Sequence, residues 1–374
     1  MKILITGARG FIGKNLIAEL KNRKYNDIYE YDIDTDPALL DEYAGDCDFV
    51  FHLAGVNRPK DESEFMTGNF GFTDTLLKKL KKAGNKAPVL ITSSIQAELD
   101  NPYGKSKKAG EDLMFSYSEE TGSKVYVYRL PNVFGKWCRP GYNSAVATFC
   151  NNIAAGLPIR VNDPSVVMKL VYIDDVVNEF INACEGSANI VDGYGAIPTV
   201  HTVTLGRIVD IITSFKENRE KLLVPRLSDE FESKLYSTYL SYLPTDDFAY
   251  PLKMNKDERG SFTEFIRTPD RGQVSVNVIR PGITKGNHWH HSKNEKFLIV
   301  KGSGRISFRK YGEELIYNYD LDDSMFRVVD IPTGYTHSIT NVGEEDMVVV
   351  MWANEAFNPD KPDTYYEKVI PEGE

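Results

Sequence analysis

The spacing of hydrophobic residues changes once along the chain and divides it into two regions. Up to residue 243, short apolar runs such as 2–6 and 88–94 alternate with segments such as 102–121, whose apolar residues recur at helical spacing. An alternation of strands and helices predicts an α/β domain built on a parallel sheet.

From residue 252 onward the helical spacing is replaced by short strands separated by turns. The predicted strands are 273–279, 296–300, 305–311, 314–319, 325–330 and 347–352. Short strands at this spacing predict an all-β, double-sheet jelly roll. Pro244 and Pro251 mark the linker. We therefore predict two domains, at residues 1–243 and 252–374.

Charge and composition exclude several kinds of partner. The 374-residue chain has a formal net charge of −10, which argues against nucleic acid or an anionic membrane. The first apolar run, Ile3-Leu4-Ile5, is too short for a signal peptide or a membrane span. The four cysteines form no Cys-x-x-Cys pair, as is typical of reduced structural thiols. We expect a soluble cytoplasmic protein.

A glycine-rich turn follows the first predicted strand. Gly7, Gly10 and Gly13 lie between that strand and a helical segment at 14–22. Glycines at such a turn let the backbone approach a diphosphate closely, while the helix N-terminus faces the phosphates. The sequence therefore predicts a dinucleotide site.

Two residues near this turn give opposite indications about the cofactor. Asp32 ends the second predicted strand, where an acid often binds the ribose hydroxyls of NAD. Arg9 lies in the glycine turn, where a guanidinium is suited to the 2′-phosphate of NADP. The residues alone leave both cofactors open.

A tyrosine and a lysine begin the helical segment 102–121. Tyr103 and Lys107 are four residues apart and share a face of the helix. We expect the ammonium to lower the pKa of the phenol, which would make Tyr103 a proton donor near neutral pH. Ser94, at the end of the preceding strand, is suited to hold a carbonyl oxygen beside it, and we favour it over Ser93.

Three histidines and a glutamate form a candidate metal site in the second region. His288 and His290 are two residues apart, so on a strand they face the same side. Glu295 begins the next strand, and His337 returns later in the chain. This ligand set suits Zn²⁺, Fe²⁺, Mn²⁺ or Ni²⁺.

A series of short motifs runs from Met1 to about residue 240. They are Thr6-Gly7-x-x-Gly10-x-x-Gly13, His52-Leu53-Ala54-Gly55, Asn69, Ser93-Ser94, Tyr103-x3-Lys107, Arg129-Leu-Pro-Asn132-Val-Phe-Gly135 and Val171-Tyr-Ile-Asp174-Asp175-Val. The region resembles the extended short-chain dehydrogenase/reductase family. This resemblance implies a Rossmann fold, a nicotinamide cofactor and catalysis by Ser94, Tyr103 and Lys107. The cofactor-binding residues it implies are Gly7, Arg9, Gly10, Phe11, Ile12, Gly13, Asp32, Leu53, Ala54, Gly55, Tyr103 and Lys107.

The metal-ligand region carries two further motifs. Residues 282–302 read Gly-x5-His-x-His-x4-Glu-x6-Gly, and residues 332–341 read Pro-x-Gly-x2-His-x3-Asn. They resemble the first and second cupin motifs, which implies a cupin jelly roll. Phe326 replaces the glycine that usually opens the second motif, which affects a turn and not a ligand.

A reductase and a metal cupin in one chain resemble the bifunctional enzyme family of bacterial capsule synthesis on the UDP-N-acetyl-L-fucosamine route. The resemblance implies C3 epimerisation of UDP-2-acetamido-2,6-dideoxy-hexos-4-ulose in the cupin, followed by NADPH-dependent reduction at C4. The implied product is UDP-N-acetyl-6-deoxy-L-talosamine, and we expect Zn²⁺ as the metal and a homodimer as the assembly. Lys285, His291 and Tyr335 lie near the ligands in sequence, and nothing chooses among them as proton-transfer groups.

Other functions are distinguishable from this one. Dehydration is disfavoured, because the Asp-Glu pair of related 4,6-dehydratases is replaced by Ile95-Gln96. The alternatives are a nucleotide-sugar 4-epimerase that keeps NAD bound, a reductase fused to a cupin dioxygenase, and a non-catalytic sugar-nucleotide sensor.

Overall fold

The computed structural model describes residues 1–356, 358–360 and 362–371. Contacts between Cα atoms divide the chain into two compact units. The first contains Met1–Thr213 and Glu230–Pro244, and the second contains Ser214–Asp229 and the chain from Thr245 onward. Within the described ranges, no helix is long and apolar enough to cross a membrane.

The first unit is built around a mainly parallel sheet. Its strands are β1 (Ile3–Thr6), β2 (Ile28–Tyr31), β3 (Phe49–His52), β4 (Val89–Ser94), β5 (Val125–Leu130), β6 (Asn132–Phe134), β7 (Val167–Tyr172), β8 (Ile190–Val191), β9 (Tyr194–Gly195) and β10 (His201–Thr204). Seven of them form the main sheet in the order β2-β1-β3-β4-β5-β9-β8, and β10-β7-β6 form a small second sheet. Strands β1 to β5 run parallel to one another.

Helices connect or follow these strands. They are α1 (Phe11–Asn22), α2 (Leu39–Asp46), α3 (Ser63–Phe65), α4 (Phe72–Ala83), α5 (Pro102–Thr121), α6 (Ala145–Ala154), α7 (Ile173–Cys184), α8 (Leu205–Glu220) and α9 (Glu230–Leu240). A π-helical turn (Met66–Gly71) and two 3-10 turns (Ile95–Glu98, Thr245–Asp247) complete the set in the described residues. The spacing prediction for 102–121 is confirmed, because Asn101 caps α5 and Gly122 ends it with a φ of 71°.

The alternating side chains of β1 explain why helices cover both faces of the main sheet. Ile3 and Ile5 belong to the hydrophobic core that includes Leu16 of α1. Leu4 belongs to a separate core that includes Leu76 of α4. Successive residues of a strand point to opposite faces, so a fully buried strand needs helices on both sides.

The second unit consists mainly of antiparallel strands. They are β11 (Met254–Asp257), β12 (Gly260–Thr268), β13 (Gly272–Ile279), β14 (Thr284–Trp289), β15 (Glu295–Lys301), β16 (Ser303–Lys310), β17 (Ile316–Asp322), β18 (Val328–Ile331), β19 (Tyr335–Asn341), β20 (Met347–Ala353) and β21 (Tyr365–Tyr366). One sheet has the order β11-β12-β13-β20-β15-β18, and the other has the order β17-β16-β19-β14-β21. Side chains of both sheets, such as Phe297 and Ile306, meet in one apolar core.

The predicted fold class, a Rossmann α/β domain followed by an all-β jelly roll, is confirmed. The predicted strand 325–330 begins later than expected, at Val328, because Met325 and Phe326 are exposed in a loop after the turn at 323–324. The predicted strand 314–319 extends to Asp322, since Asp320 pairs with Arg305 on the neighbouring strand.

The boundary between the units is crossed more than once by the chain. The second half of α8 and the residues after it belong to the second unit. Within that unit, the Val224 N–H donates to the Arg267 carbonyl at 2.8 Å, and the Arg267 N–H donates to the Leu222 carbonyl at 2.7 Å. The domain limits of 1–243 and 252–374 remain a prediction.

Candidate functional sites

The turn after β1 has the close backbone packing that a dinucleotide site requires. Gly7 has a φ of 68°, and a Cβ there would lie 2.7 Å from the backbone nitrogen of Ala54. A Cβ on Gly13 would lie 2.3 Å from the Gly7 carbonyl oxygen. Both contacts are shorter than any real Cβ contact, so glycine is required at both positions. Helix α1 therefore begins at Phe11 directly against the turn.

A cavity of about 1020 Å³ opens beside this turn. Every residue predicted for the cofactor and for catalysis lines it, from Gly7 to Lys107. Arg139 and Asn143, from the region between β6 and α6, also line it. A cavity at the carboxyl ends of parallel strands is the usual location of a nucleotide ligand in this kind of sheet. The residues present therefore fit a nicotinamide dinucleotide.

Two adjacent serines at the end of β4 have different surroundings. The Ser93 hydroxyl donates to Glu111 Oε1 at 2.6 Å, and Glu111 also accepts from the guanidinium of Arg129 at 2.9 Å. Ser94 instead accepts from the Gln96 N–H at 3.2 Å and hydrogen bonds to Tyr103. Ser93 thus belongs to a buried ion-pair network, and Ser94 belongs to the cavity beside the phenol.

The phenol of Tyr103 is half-buried and has a partner that the sequence did not indicate. Its hydroxyl donates to Asn57 Oδ1 at 3.1 Å. Burial raises the pKa of Tyr103, and the hydrogen bond from Ser94 opposes that rise. Asn57 is not part of a recognisable motif, so only the fold reveals that it contacts the tyrosine.

The expected lowering of the Tyr103 pKa by Lys107 is wrong for this structure. The Lys107 ammonium lies 5.9 Å from the centre of the tyrosine ring and donates to the Thr92 carbonyl at 3.1 Å. Burial lowers the pKa of Lys107 to about 8, although Glu111 raises it. Burial therefore disfavours both the phenolate and the ammonium.

The two residues with opposite cofactor indications are hydrogen bonded to each other. The Arg9 N–H donates to Asp32 Oδ2 at 2.7 Å, while the Arg9 guanidinium pairs with Asp34. The side chains of Arg9 and Asp34 are both 59 % exposed, so the guanidinium is free to turn toward a ligand. The geometry brings both candidates to one end of the cavity.

Three strands bring the candidate metal ligands together. His288 lies in β14, Glu295 begins β15, His337 lies in β19, and His290 directly follows β14. One ligand atom from each residue lies within 4.8 Å of the other three. This spacing allows all four atoms to reach one ion at ordinary ligand distances.

A β-bulge sets the direction of the first histidine. The pairing of β14 with β19 shifts between Gly286 and His288, and the intervening Asn287 has a φ of 58°. As a result, His288 stands directly opposite His337. Bulges commonly redirect side chains beside functional sites.

The ligand atoms are buried and facing one another. Nε2 of His290 and Nε2 of His337 lie 3.5 and 3.4 Å from Glu295 Oε2. None of these three atoms has a hydrogen-bond partner among the described residues. Buried polar atoms are rarely left without partners, and a bound cation would satisfy all three. The donor set therefore fits a divalent metal.

The protonation states also suit a metal. Burial, together with the neighbouring imidazoles, lowers the pKa of His288 to about 4. Burial would raise the pKa of Glu295, but His290, His337 and Lys293 hold it below its usual range. Neutral imidazoles and an ionised carboxylate are the forms that bind metal ions.

A later segment of the chain supports the ligand cluster. The Asp363 carbonyl hydrogen bonds to Nδ1 of His290, which leaves Nε2 directed at the cluster. The Asp363 carboxylate accepts from the N–H groups of His291, Ser292 and Lys293 at 2.7–2.9 Å. Sequence reasoning missed Asp363 and Lys293, because neither belongs to a motif.

The three candidate proton-transfer residues have separate locations. The ring of His291 packs against Trp289 and Tyr365, with centroids 4.5 and 4.9 Å away. The Tyr335 carbonyl accepts from His337 Nδ1 at 3.5 Å.

The Lys285 ammonium donates to Asn277 Oδ1 at 3.1 Å. Glu295 and Gln273 both pair with Ala353 of β20, so they are level with each other across the sheet. Asn277 lies four residues further along β13, which is two inward-facing positions away. The Lys285 ammonium therefore contacts β13 four residues away from the position that is level with Glu295.

Two family models match the chain, one in each region. The model of the NAD dependent epimerase/dehydratase family matches residues 3–193. The chain belongs to this family. The model of the polysaccharide biosynthesis C-terminal domain matches residues 255–365, which include all four candidate metal ligands.

Two known proteins are similar to this chain over nearly its whole length. UDP-2-acetamido-2,6-beta-L-arabino-hexul-4-ose reductase of Pseudomonas aeruginosa strain PA103 is 44% identical over 365 residues, 98% of each chain. The capsular polysaccharide assembling protein CapF of Staphylococcus aureus is 53% identical, with a TM-score of 0.94, over 98% of this chain and 100% of that chain. A structure of CapF with the inhibitor 3-isopropenyl-tropolone is 49% identical, with a TM-score of 0.89 over the same shares. The family resemblance proposed from the sequence is confirmed.

A substitution in the glycine turn tests the dinucleotide site of this family member. We expect Gly13→Ala to weaken binding of reduced nicotinamide dinucleotides by about tenfold or more, since the turn must move away from the added Cβ. Fluorescence titration measures this. Gly45→Ala is the matched control, because the new Cβ would meet only Ala83 Cβ at 3.9 Å. Equal affinity of the Gly13→Ala and wild-type proteins would contradict the prediction.

Proposed function

We propose that this chain is a bifunctional enzyme acting on a UDP-linked 2-acetamido-2,6-dideoxy-4-keto-hexose. The second unit epimerises C3, and the first unit then reduces the C4 ketone with NADPH, giving UDP-N-acetyl-6-deoxy-L-talosamine for capsule synthesis. The observation that carries the proposal is the presence, in one chain, of a dinucleotide cavity with Ser94 and Tyr103 and a buried His/Glu ligand cluster. The name of the Pseudomonas aeruginosa reductase supports this substrate class, and the name of CapF supports a role in capsule synthesis.

Reduction at C4 uses residues at the mouth of the dinucleotide cavity. A bound nicotinamide supplies the hydride to C4. Tyr103 donates its proton to the C4 oxygen, and Ser94 holds that oxygen by a hydrogen bond. Asn57, which accepts the phenol proton in this structure, must give way to the ketone oxygen. Lys107 stabilises the phenolate that remains until water reprotonates it.

Epimerisation at C3 uses the acidity that the ketone gives to the neighbouring carbon. His288, His290, Glu295 and His337 would hold the metal, for which we propose Zn²⁺. A bound divalent metal supplies Lewis-acid stabilisation of the negative charge that develops on the ketone oxygen. Reduction removes the ketone and its acidity, so epimerisation comes first.

The inhibitor in the CapF structure gives independent support for a metal. A tropolone carries two adjacent oxygens, a pair that chelates divalent cations, and 3-isopropenyl-tropolone is described as an inhibitor of that relative.

Dehydration receives no support. Ile95 and Gln96 line the cavity after Ser94, and neither side chain serves as an acid or a base.

The two activities should be separable by single substitutions. In deuterated water with the UDP-4-keto sugar, we expect Tyr103→Phe to keep C3 hydrogen exchange and to slow NADPH oxidation about 100-fold or more, since the proton donor is lost. We expect His290→Ala to lose exchange and to keep NADPH oxidation at a reduced rate, because the reductase then meets the unepimerised sugar. NMR measures exchange, and absorbance at the nicotinamide band measures oxidation.

Matched variants control this experiment. Lys296→Ala removes an exposed cation that pairs with Asp330 beside the ligand Glu295, and should keep both activities. Circular dichroism must show that His290→Ala is folded, because a site metal also stabilises its domain. Loss of exchange in Tyr103→Phe, or its retention in His290→Ala, would contradict the division of labour. An NAD-bound 4-epimerase would consume no added NADPH in any variant.

The preference for NADPH depends on Arg9. We expect Arg9→Ala to weaken NADPH binding by about 2 kcal/mol, the value of a charge-assisted hydrogen bond, and to leave NADH binding nearly unchanged. Lys21→Ala, which removes an exposed cation paired with Glu30, is the control. Calorimetry with both cofactors measures the difference. Equal losses for NADPH and NADH would remove Arg9 from the 2′-phosphate role.

We also propose that the chain forms a homodimer through its second unit. Strand β17 lies at the edge of its sheet and exposes Tyr317 and Tyr319. Light scattering at micromolar concentration should give the dimer mass, and Tyr319→Lys should shift it toward the monomer. Ile190→Lys, on the exposed edge strand β8 of the first unit, should not. The reverse pattern would move the interface to the first unit.

A further inference from the structure

The two carboxylate oxygens of Glu295 have different partners. Oε1 lies 2.9 Å from the ammonium of Lys293. Oε2 faces the other way, at 3.5 and 3.4 Å from Nε2 of His290 and of His337. Only Oε2 is therefore directed at the ligand cluster. The carboxylate is already turned so that it offers one oxygen.

Lys293 is fixed in place and is unlike an ordinary surface lysine. Its side chain is only 13 % exposed, beside a Glu295 side chain that is 7 % exposed. Its backbone N–H donates to Asp363 Oδ2 at 2.8 Å, which anchors the loop between β14 and β15. A lysine that is both buried and anchored gives its ammonium a defined position.

We propose that Lys293 is a positioning residue that restricts Glu295 to one metal-binding oxygen. The inference rests on the proposed metal site. A charge-assisted hydrogen bond to Oε1 prevents the carboxylate from binding through both oxygens. The protein would then supply four ligand atoms and not five to a bound metal, which would leave a fifth coordination position for the oxygen of the keto sugar.

A simpler role for Lys293 is to neutralise a buried carboxylate. The two roles differ in what they predict for the metal. If Lys293 only balances charge, its removal leaves the coordination number unchanged. If it positions Glu295, its removal lets the freed Oε1 join the metal and fill the open position.

The test uses the full-length protein loaded with Co²⁺, whose visible absorption is intense at four-coordinate sites and weaker at higher coordination number. We expect Lys293→Met to lower the molar absorptivity clearly and to weaken binding of added tropolone about tenfold, the usual range for residues that support a ligand. We expect Lys293→Arg to restore both, because arginine also donates to a carboxylate.

Lys296→Met is the matched control. Lys296 is the residue after Glu295, and its exposed ammonium pairs with Asp330. Its removal takes away the same charge near the site, and we expect the wild-type spectrum and tropolone affinity. A spectrum of Lys293→Met identical to that of Lys296→Met would overturn the inference.

Two further outcomes separate this inference from the proposed function. If the wild-type protein gives no Co²⁺ spectrum that His290→Ala abolishes, the proposed metal site is wrong and the inference fails with it. If Lys293→Met does not fold, Lys293→Ala replaces it, because alanine removes the donor to Glu295 Oε1 together with the long side chain. A Lys293→Ala spectrum equal to wild type, with unchanged tropolone affinity, would then reject the positioning role.

Discussion

The second unit buries three polar atoms against one another, Nε2 of His290, Nε2 of His337 and Oε2 of Glu295, and no other described residue pairs with them. An unpaired buried polar group costs about 1–3 kcal/mol, so this arrangement is expensive without a cation. Much of the local structure maintains it. The bulge at Asn287 aligns two strands, Asp363 orients one imidazole, and Lys293 holds the far side of the carboxylate.

In the first unit, buried contacts fix the helix that carries the catalytic candidates to the sheet. Glu111 of α5 receives the Ser93 hydroxyl from β4 and the Arg129 guanidinium from β5, so the helix is fixed to two strands of the sheet. Tyr103 and Lys107 on the same helix therefore have defined positions relative to Ser94. Because both are substantially buried, the pKa of Tyr103 is raised and the pKa of Lys107 is lowered to about 8 before ligands arrive.

Sequence reasoning predicted the features that depend on local spacing. The period of apolar residues gave α5 with its bounds, and the His-x-His spacing brought two imidazoles to the same cluster. It could not predict features that depend on distant contacts. Asp363 reaches a histidine 73 residues earlier, and Asn57 reaches a tyrosine 46 residues later. The pKa of Tyr103 depends on its burial, and the spacing of residues along the sequence does not show how deeply a side chain is buried. The predicted strand 325–330 began too early because an aromatic residue such as Phe326 is typical of a buried strand, whereas Phe326 is exposed in the structure.

The contact between Asp363 and the loop at 291–293 has a consequence for biosynthesis. A ribosome makes the four candidate ligands well before it makes Asp363, so the nascent chain carries the histidines and the glutamate without the group that orients His290. Histidines that are not yet held in place can bind the wrong ion. This happens because the affinity of such ligands for divalent metals follows a general order among the metals, and geometry is needed for selectivity. The hydrogen bonds that orient His290 and fix the loop at 291–293 form only once Asp363 has been translated.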